Sequence, residues 1–390
     1  MNTILLAGGG HSQLAAMPLL GPAARRRALH VRLLSPQPEL LYSGMMPGWL
    51  AGRYTFSECA IPLAAIARRH GIEWIEETIA GVDFPARCVV GATGARHAYD
   101  VLALNVGAES IIAGAPAPIS QGAMPVLPVK PFVRFVALWN DFLRRPDARA
   151  ARFVVIGGGA AGFELACALR AFCRGAGEAN AGPAATGSVT LVSESSLLAS
   201  FAPRAARLAR AALARNGIAL QESRRFLGRD AHRLHLDGAG PTVAAEVVLV
   251  ATGALPPAWL SDAARAAGVA TAPDGGIAVD TAMRSPSHPE VFASGDCASF
   301  VGARVPRSGV HALRQGPPLA HALEAAAIGG PGALPARAHY RPQRHALALL
   351  DCGDGRAIGA RGPFTFEGRW AWRWKDRIDR GFLARQRQGL

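Results

Sequence analysis

Twice in this chain an apolar strand runs into a glycine cluster and then into a helix. The first copy is Thr3-Ile4-Leu5-Leu6-Ala7 followed by Gly8-Gly9-Gly10. The second is Phe153-Val154-Val155-Ile156 followed by Gly157-Gly158-Gly159-Ala160-Ala161-Gly162. A glycine turn at a helix N-terminus presents free backbone N–H groups and the positive end of the helix dipole to a pyrophosphate, with no side chain in the way. One such turn is weak evidence in a glycine-rich chain. Two of them, each after a strand and about 150 residues apart, imply two dinucleotide sites in one polypeptide. Two dinucleotides held together usually pass electrons from one to the other.

The chain is 390 residues long and half hydrophobic, enough for two or three domains with sizeable cores. Its formal net charge of +14 invites a nucleic-acid or membrane partner. Yet Lys130 and Lys375 are the only lysines, so the excess is almost all arginine, as GC-rich coding produces without functional demand. No nucleic-acid-binding signature accompanies the charge, and nucleic acid is not an expected partner. No apolar run is long enough to span a bilayer. The N-terminus enters a strand without the basic flank of a signal peptide. The expected location is the cytoplasm, including the inner face of the cytoplasmic membrane. Cys59, Cys88, Cys167, Cys173, Cys297 and Cys352 form no CxxC pair, so free thiols are expected and a metal site is not.

The expected architecture is α/β: two Rossmann-like doubly wound domains, the second inserted into the first, with a small C-terminal segment. The divisions fall at 1–125, 126–255, 256–335 and 336–390. A strand from Tyr99 to Val106 ends at Gly107. Residues 113–131 hold five prolines and read as a linker, followed by a helix from about Phe132 to Leu143. The small-residue run 174–187 reads as a surface loop.

In the second turn Gly157, Gly159 and Gly162 match GxGxxG in full, for the tight turn, the phosphate approach and the helix–strand packing. The strand ending Val192-Ser193-Glu194 offers Glu194 to the adenosine ribose. An acid here without an adjacent arginine favours NADH over NADPH, unless Arg204 or Arg207 folds back. The first turn departs from the fingerprint. Gly8 and Gly10 are in place, but Gln13 stands at the third position and Ser35 where the acid is expected. A serine still donates to a ribose oxygen, at some loss of affinity.

Phe292-Ala-Ser-Gly295-Asp296-Cys297 resembles the late flavin motif of the two-dinucleotide flavoprotein reductases, the pyridine nucleotide-disulfide oxidoreductase superfamily. Val248-Leu-Val-Ala-Thr-Gly253 looks like the strand-plus-ATG motif that closes their NAD domain. Within that superfamily the chain resembles the quinone-reducing branch of type II NADH dehydrogenases and sulfide:quinone oxidoreductases. It is closer still to the module fused ahead of selenophosphate synthetase. Gly8-Gly-Gly-His11-Ser12, Tyr42-Ser-Gly-Met-Met-Pro47-Gly48 and Arg369-Trp370 through Trp374-Lys-Asp-Arg377 carry this closer likeness. The synthetase half is absent, so its chemistry does not transfer.

The resemblance implies FAD held by Gly8, Gly10, His11, Ser35, Pro47, Gly107, Gly295 and Asp296, with Asp296 on the ribitol. It implies NADH, with NADPH as the alternative, on Gly157, Gly159, Gly162, Glu194 and Gly253. Hydride would pass from NAD(P)H to FAD and electrons on to an acceptor, with a quinone foremost. Glu164 matches a glutamate beside the nicotinamide. In the quinone-reducing relatives the helix after Pro306 lines a quinone channel, which makes His311 and Gln315, one turn apart on one face, candidate catalytic residues. Lys130, ending the proline-rich stretch, either approaches the flavin or is a solvated lysine. Oxygen, an electron carrier or a selenium or sulfur compound stays open as acceptor, as does a non-catalytic dinucleotide-binding role in selenium metabolism. The Cys-x4-Cys pair of the disulfide reductases is missing after the first glycine turn, so electrons must leave the flavin directly.

Near the C-terminus Trp370, Trp374, Ile378 and Phe382 recur every fourth residue, and residues 369–387 carry seven basic against two acidic side chains. Trp and Arg on one amphipathic helix suit a lipid headgroup boundary, where a lipid quinone would be met. The same stripe suits packing against the FAD domain or a second copy of the chain. The expected partners are thus NAD(P)H, the acceptor, a membrane surface touched through residues 366–390, and a homodimer mate.

Overall fold

A computed structural model describes residues 2–111, 124–175, 187–238, 240–330, 332 and 334–388. Thr3–Ala7 is the middle of a five-stranded parallel sheet in the order Val291–Ala293, Val101–Leu104, Thr3–Ala7, His30–Leu34, Glu73–Ile75. Its central strands are unbroken apolar runs because both faces are covered. One face carries the helices His11–Arg27 and Gly309–Gly329. They touch closely at Gly316, where a Cβ would lie 2.4 Å from Ala15 Cβ and 2.7 Å from the Ser12 carbonyl. The other face carries the ribbon Ile79–Asp83, Cys88–Gly91, Arg96–Ala98 and the helix Ala258–Ala266.

Between Val101–Leu104 and Val291–Ala293 the chain builds a second sheet. It is also parallel, in the order Val126–Pro128, Val247–Val250, Phe153–Ile156, Val189–Val192, Ala219–Gln221. Here the linker expectation needs correcting, because Val126–Pro128 is an edge strand. Proline is tolerated at a sheet edge, where its missing N–H has no strand to face. Pro116 and Pro118 lie outside the described residues, as does most of the 174–187 loop.

The C-terminal segment forms an antiparallel sheet of Ala348–Asp351, Ala357–Arg361 and Phe364–Gly368, followed by the helix Arg369–Arg387. Among the described residues no helix is long and apolar enough to cross a membrane.

Candidate active site

Both glycine turns open on one continuous cavity of about 1880 Å³. The two turns repeat one geometry. Gly8 (φ +95°) and Gly157 (φ +127°) take left-handed backbone, and a Cβ on either would lie 2.4 Å from the carbonyl oxygen of Asn105 or Ala251. Only glycine suits both demands. The strand-ending serines pack against the middle glycines. Added Cβ atoms at Gly9 and Gly158 would lie 2.8 Å from Ser35 Oγ and 2.0 Å from Ser193 Oγ.

The third positions differ. Gly162 brings its helix so close that a Cβ would lie 1.7 Å from the Gly157 carbonyl oxygen, so it serves packing rather than lining the cavity. Gln13 instead reaches across, its Nε2 donating to the Ala103 carbonyl at 2.7 Å.

On the side of the first turn the cavity is lined by Gly8, Gly10, His11, Ser35, Pro47 and Gly107, together with Gly295 and Asp296. Gly295 takes φ +66°, and its N–H donates to Gln315 Oε1 at 2.7 Å. Lys130 Nζ donates to Asp296 Oδ2 at 2.5 Å. Arg307 Nε donates to the Asp296 carbonyl at 2.9 Å. His11 Nε2 is buried without a hydrogen-bond partner. Burial pulls this imidazole down to about 4, against Asp296 and with the help of Lys130, so the ring is neutral near pH 7. FAD fits here: the turn offers N–H groups to a pyrophosphate, and His11 and Asp296 offer polar atoms to the rest.

On the side of the second turn Gly157, Gly159, Glu194 and Gly253 line the same cavity. A Cβ at Gly159 would meet nothing within 4 Å, so this residue keeps the space over the turn clear. Glu194 is exposed at the rim, one residue beyond Ser193, which holds the strand-end position. No arginine is adjacent in sequence, but one is in space: Arg224 N–H donates to the Ser193 carbonyl at 3.0 Å. Arg224 and Arg225 both line the cavity.

Glu164, from the helix Ala160–Arg174 that follows the second turn, is half-buried at the cavity wall. Its Oε1 accepts the Asp351 N–H at 2.8 Å. Burial pushes the carboxyl up to about 7, Lys375 and the Asp351 N–H pull it down, and the charges of Asp351 and Asp379 push it up again. Behind it lies a cluster that sequence reasoning missed. Asp351 Oδ2 takes the Arg53 guanidinium and accepts Trp372 Nε1–H at 3.2 Å. Lys375 Nζ donates to Asp379 Oδ2 at 2.8 Å and to the Gly44 carbonyl at 2.7 Å. Tyr42 OH donates to Asp379 Oδ1 at 3.1 Å. Burial opposes the Lys375 charge, and Glu164, Asp379 and Asp351 together hold it in place. One signal in the sequence pointed here: Lys375 is one of two lysines, four residues before an aspartate on a helix.

His311 and Gln315 do not line this cavity but a small pocket of about 10 Å³ beside it, which shares Gly295, Asp296 and Ala312 with its wall. His311 Nδ1 lies 2.7 Å from Tyr340 OH, and burial together with Arg314 lowers its pKa. Gly309 and Ala312 are the residues that the helix turns toward the cavity. Buried Tyr340 OH and Gly295 N–H need partners, and these two side chains supply them beside Asp296. All six cysteines are free and buried, and burial pushes the Cys297 thiol up to about 11.

The C-terminal stripe divides. Phe382 turns inward, its ring centroid 4.8 Å from that of Tyr42. Trp370 and Trp374 stack with Phe366 and remain 56% and 40% exposed, beside Ile378 at 41% and Phe364 at 75%. The buried face is Ala371, Lys375, Asp379 and Leu383.

None of the curated proteins compared with the chain matches it. Solved structures do. The sulfide:quinone oxidoreductase of the hyperthermophilic bacterium Aquifex aeolicus is 18% identical, with a TM-score of 0.77 over 100% of this chain and 92% of that one. NDH2 from Plasmodium falciparum, solved with NADH, is 12% identical, with a TM-score of 0.79 over 98% of this chain and 97% of that one. The water-forming NADH oxidase of Lactobacillus brevis, bound to NADH, is 18% identical, with a TM-score of 0.68 over 93% of this chain and 75% of that one. At these identities the likeness is one of fold. Residues 4–316 match the pyridine nucleotide-disulphide oxidoreductase family, and the chain belongs to it, as a flavoprotein oxidoreductase whose cofactors are FAD and NAD(P)H.

Proposed function

We propose that the chain takes hydride from NAD(P)H onto bound FAD and passes the electrons to a quinone at a membrane surface. The observation that carries this reading is the single cavity shared by both glycine turns, with Glu164 at its wall. Residues 1–125 and 256–335 would hold FAD, the Gly8–Gly10 turn taking the pyrophosphate and Asp296 the ribitol. Residues 126–255 would hold NAD(P)H, with Gly157 and Gly159 at its pyrophosphate. When bound, FAD supplies the two-electron chemistry; the protein supplies placement and protons. Glu164 is poised near neutral pH to hold a proton at the cavity wall, which a quinone needs on reduction. His11, neutral and unpartnered, would donate or accept one hydrogen bond at the flavin side.

Two findings favour a quinone. The folds of a sulfide:quinone oxidoreductase and of NDH2 extend over nearly the whole of this chain. The uncovered Trp370–Trp374 face, set among Arg369, Arg373 and Arg377, suits a headgroup layer where a lipid quinone resides. Purified protein should be yellow, should bleach with NAD(P)H under anaerobic conditions, and should recover its colour on adding a short-chain benzoquinone. Bleaching without recovery would remove the quinone; no bleaching by either nicotinamide would remove the donor.

A further inference from the structure

Beside the second glycine turn the cavity wall carries two serines and an arginine that a dinucleotide fold does not require. We propose that Ser193, Ser195 and Arg224 form a site for a phosphate on the adenosine ribose, so that this chain selects NADPH over NADH. The proposal rests on the reading above that the second turn holds a pyridine dinucleotide.

Ser193 ends the strand Val189–Val192 and packs under Gly158. In a dinucleotide fold this is the place that faces the ribose hydroxyls, where an acid accepts a 2′-hydroxyl and repels a 2′-phosphate. A serine carries no charge and can donate to a phosphate oxygen. Ser195 lines the cavity two residues on. Arg224 comes from the loop after Ala219–Gln221, the next strand of the sheet, and its N–H to the Ser193 carbonyl ties the two loops together.

Among the described residues the Arg224 side chain has no counter-charge. Its Nε is shut off from solvent without a partner. Among the described residues the guanidinium makes one long hydrogen bond, from Nη2 to the Gly240 carbonyl at 3.4 Å, and no ion pair. Its neighbours are paired: Arg210 lies 2.7 Å from Glu222, and Arg225 leans on Asp237. A partly buried, unpaired guanidinium is costly, and a phosphate supplies both the charge and the acceptor geometry that it lacks. Gly240 completes the seat, since a Cβ there would lie 1.9 Å from Arg224 Nη1. Glu194 works in the opposite direction, but its carboxylate is exposed at the rim, where water and salt weaken it.

Calorimetric titration of the flavin-loaded protein with 2′,5′-ADP and with 5′-ADP tests this without turnover. The 2′-phosphate should tighten binding at least about tenfold, with the gap narrowing as salt rises. Arg224→Met should bring the ratio close to one, Arg224→Lys should keep part of it, and Glu194→Gln should widen it. A wild-type ratio of one or less overturns the proposal whatever the variants do. If 5′-ADP binds and NADH bleaches the flavin while that ratio is one, the dinucleotide reading stands and the phosphate site alone falls. If neither ligand binds and neither nicotinamide bleaches the flavin, both fall.

Discussion

Alanine at 157 and alanine at 159 should fail in different ways. At 157 the backbone is left-handed and the added methyl meets the Ala251 carbonyl, so the fold itself should lose about 1–3 kcal/mol in denaturant titration. At 159 the methyl enters open cavity, so stability should hold while affinity for 5′-ADP falls. Glu164 makes a prediction about pH. Its folded value, about 7, lies above the ordinary glutamate value, so the folded state binds the extra proton. That contribution is present at pH 4 and is lost as pH rises through 7. Relative to Glu164→Gln, the melting temperature of the wild type should therefore drop between these limits. Lys375→Met leaves Asp379 buried beside Tyr42 without its cation and should cost about 3–5 kcal/mol, which chemical denaturation would read. The turn glycines were legible because the strand–glycine–helix pattern that marks them is written in consecutive residues, although the carbonyls they avoid come from distant segments of the chain. Lys375 and the Gly44 carbonyl are 331 residues apart in the chain, and no local pattern joins them.

Among the elements, the strands were easiest to read. Runs such as Phe153–Ile156 are wholly buried and flanked by glycine, whichever sheet they join. Val126–Pro128 was hidden by its proline, since composition cannot tell an edge strand from a linker. His311 and Gln315 show the limit for helices: a shared face can be read from spacing, but which neighbours need hydrogen bonds cannot. The helix Arg369–Arg387 shows both sides of this. Its period was right, yet the buried face runs through Lys375 and Asp379 and is charged, while much of the aromatic face is outside. Replacing Trp370 and Trp374 together by alanine should abolish sedimentation with anionic vesicles, and wild-type binding should weaken as salt rises. Vesicle binding that ignores both changes would assign that face to another partner, a second copy of the chain included.

For the whole molecule, the repeated strand–glycine–helix unit was enough to set out two parallel sheets, whereas the pairing of Val291–Ala293 with Val101–Leu104 emerged only from the fold. The distant joins were not legible. Arg53, Glu164, Asp351 and Lys375 come from four separated stretches of the chain, and each makes sense only beside the others. Cutting the chain before residue 366 to obtain a form that no longer sediments with vesicles would thus do more than trim an anchor. It would uncork the wall behind Glu164, leave Arg53 and Asp351 without Trp372, and let water reach the flavin's neighbourhood. Such a truncate should lose its yellow colour on gel filtration, whereas the two outward tryptophans can be changed with the colour intact.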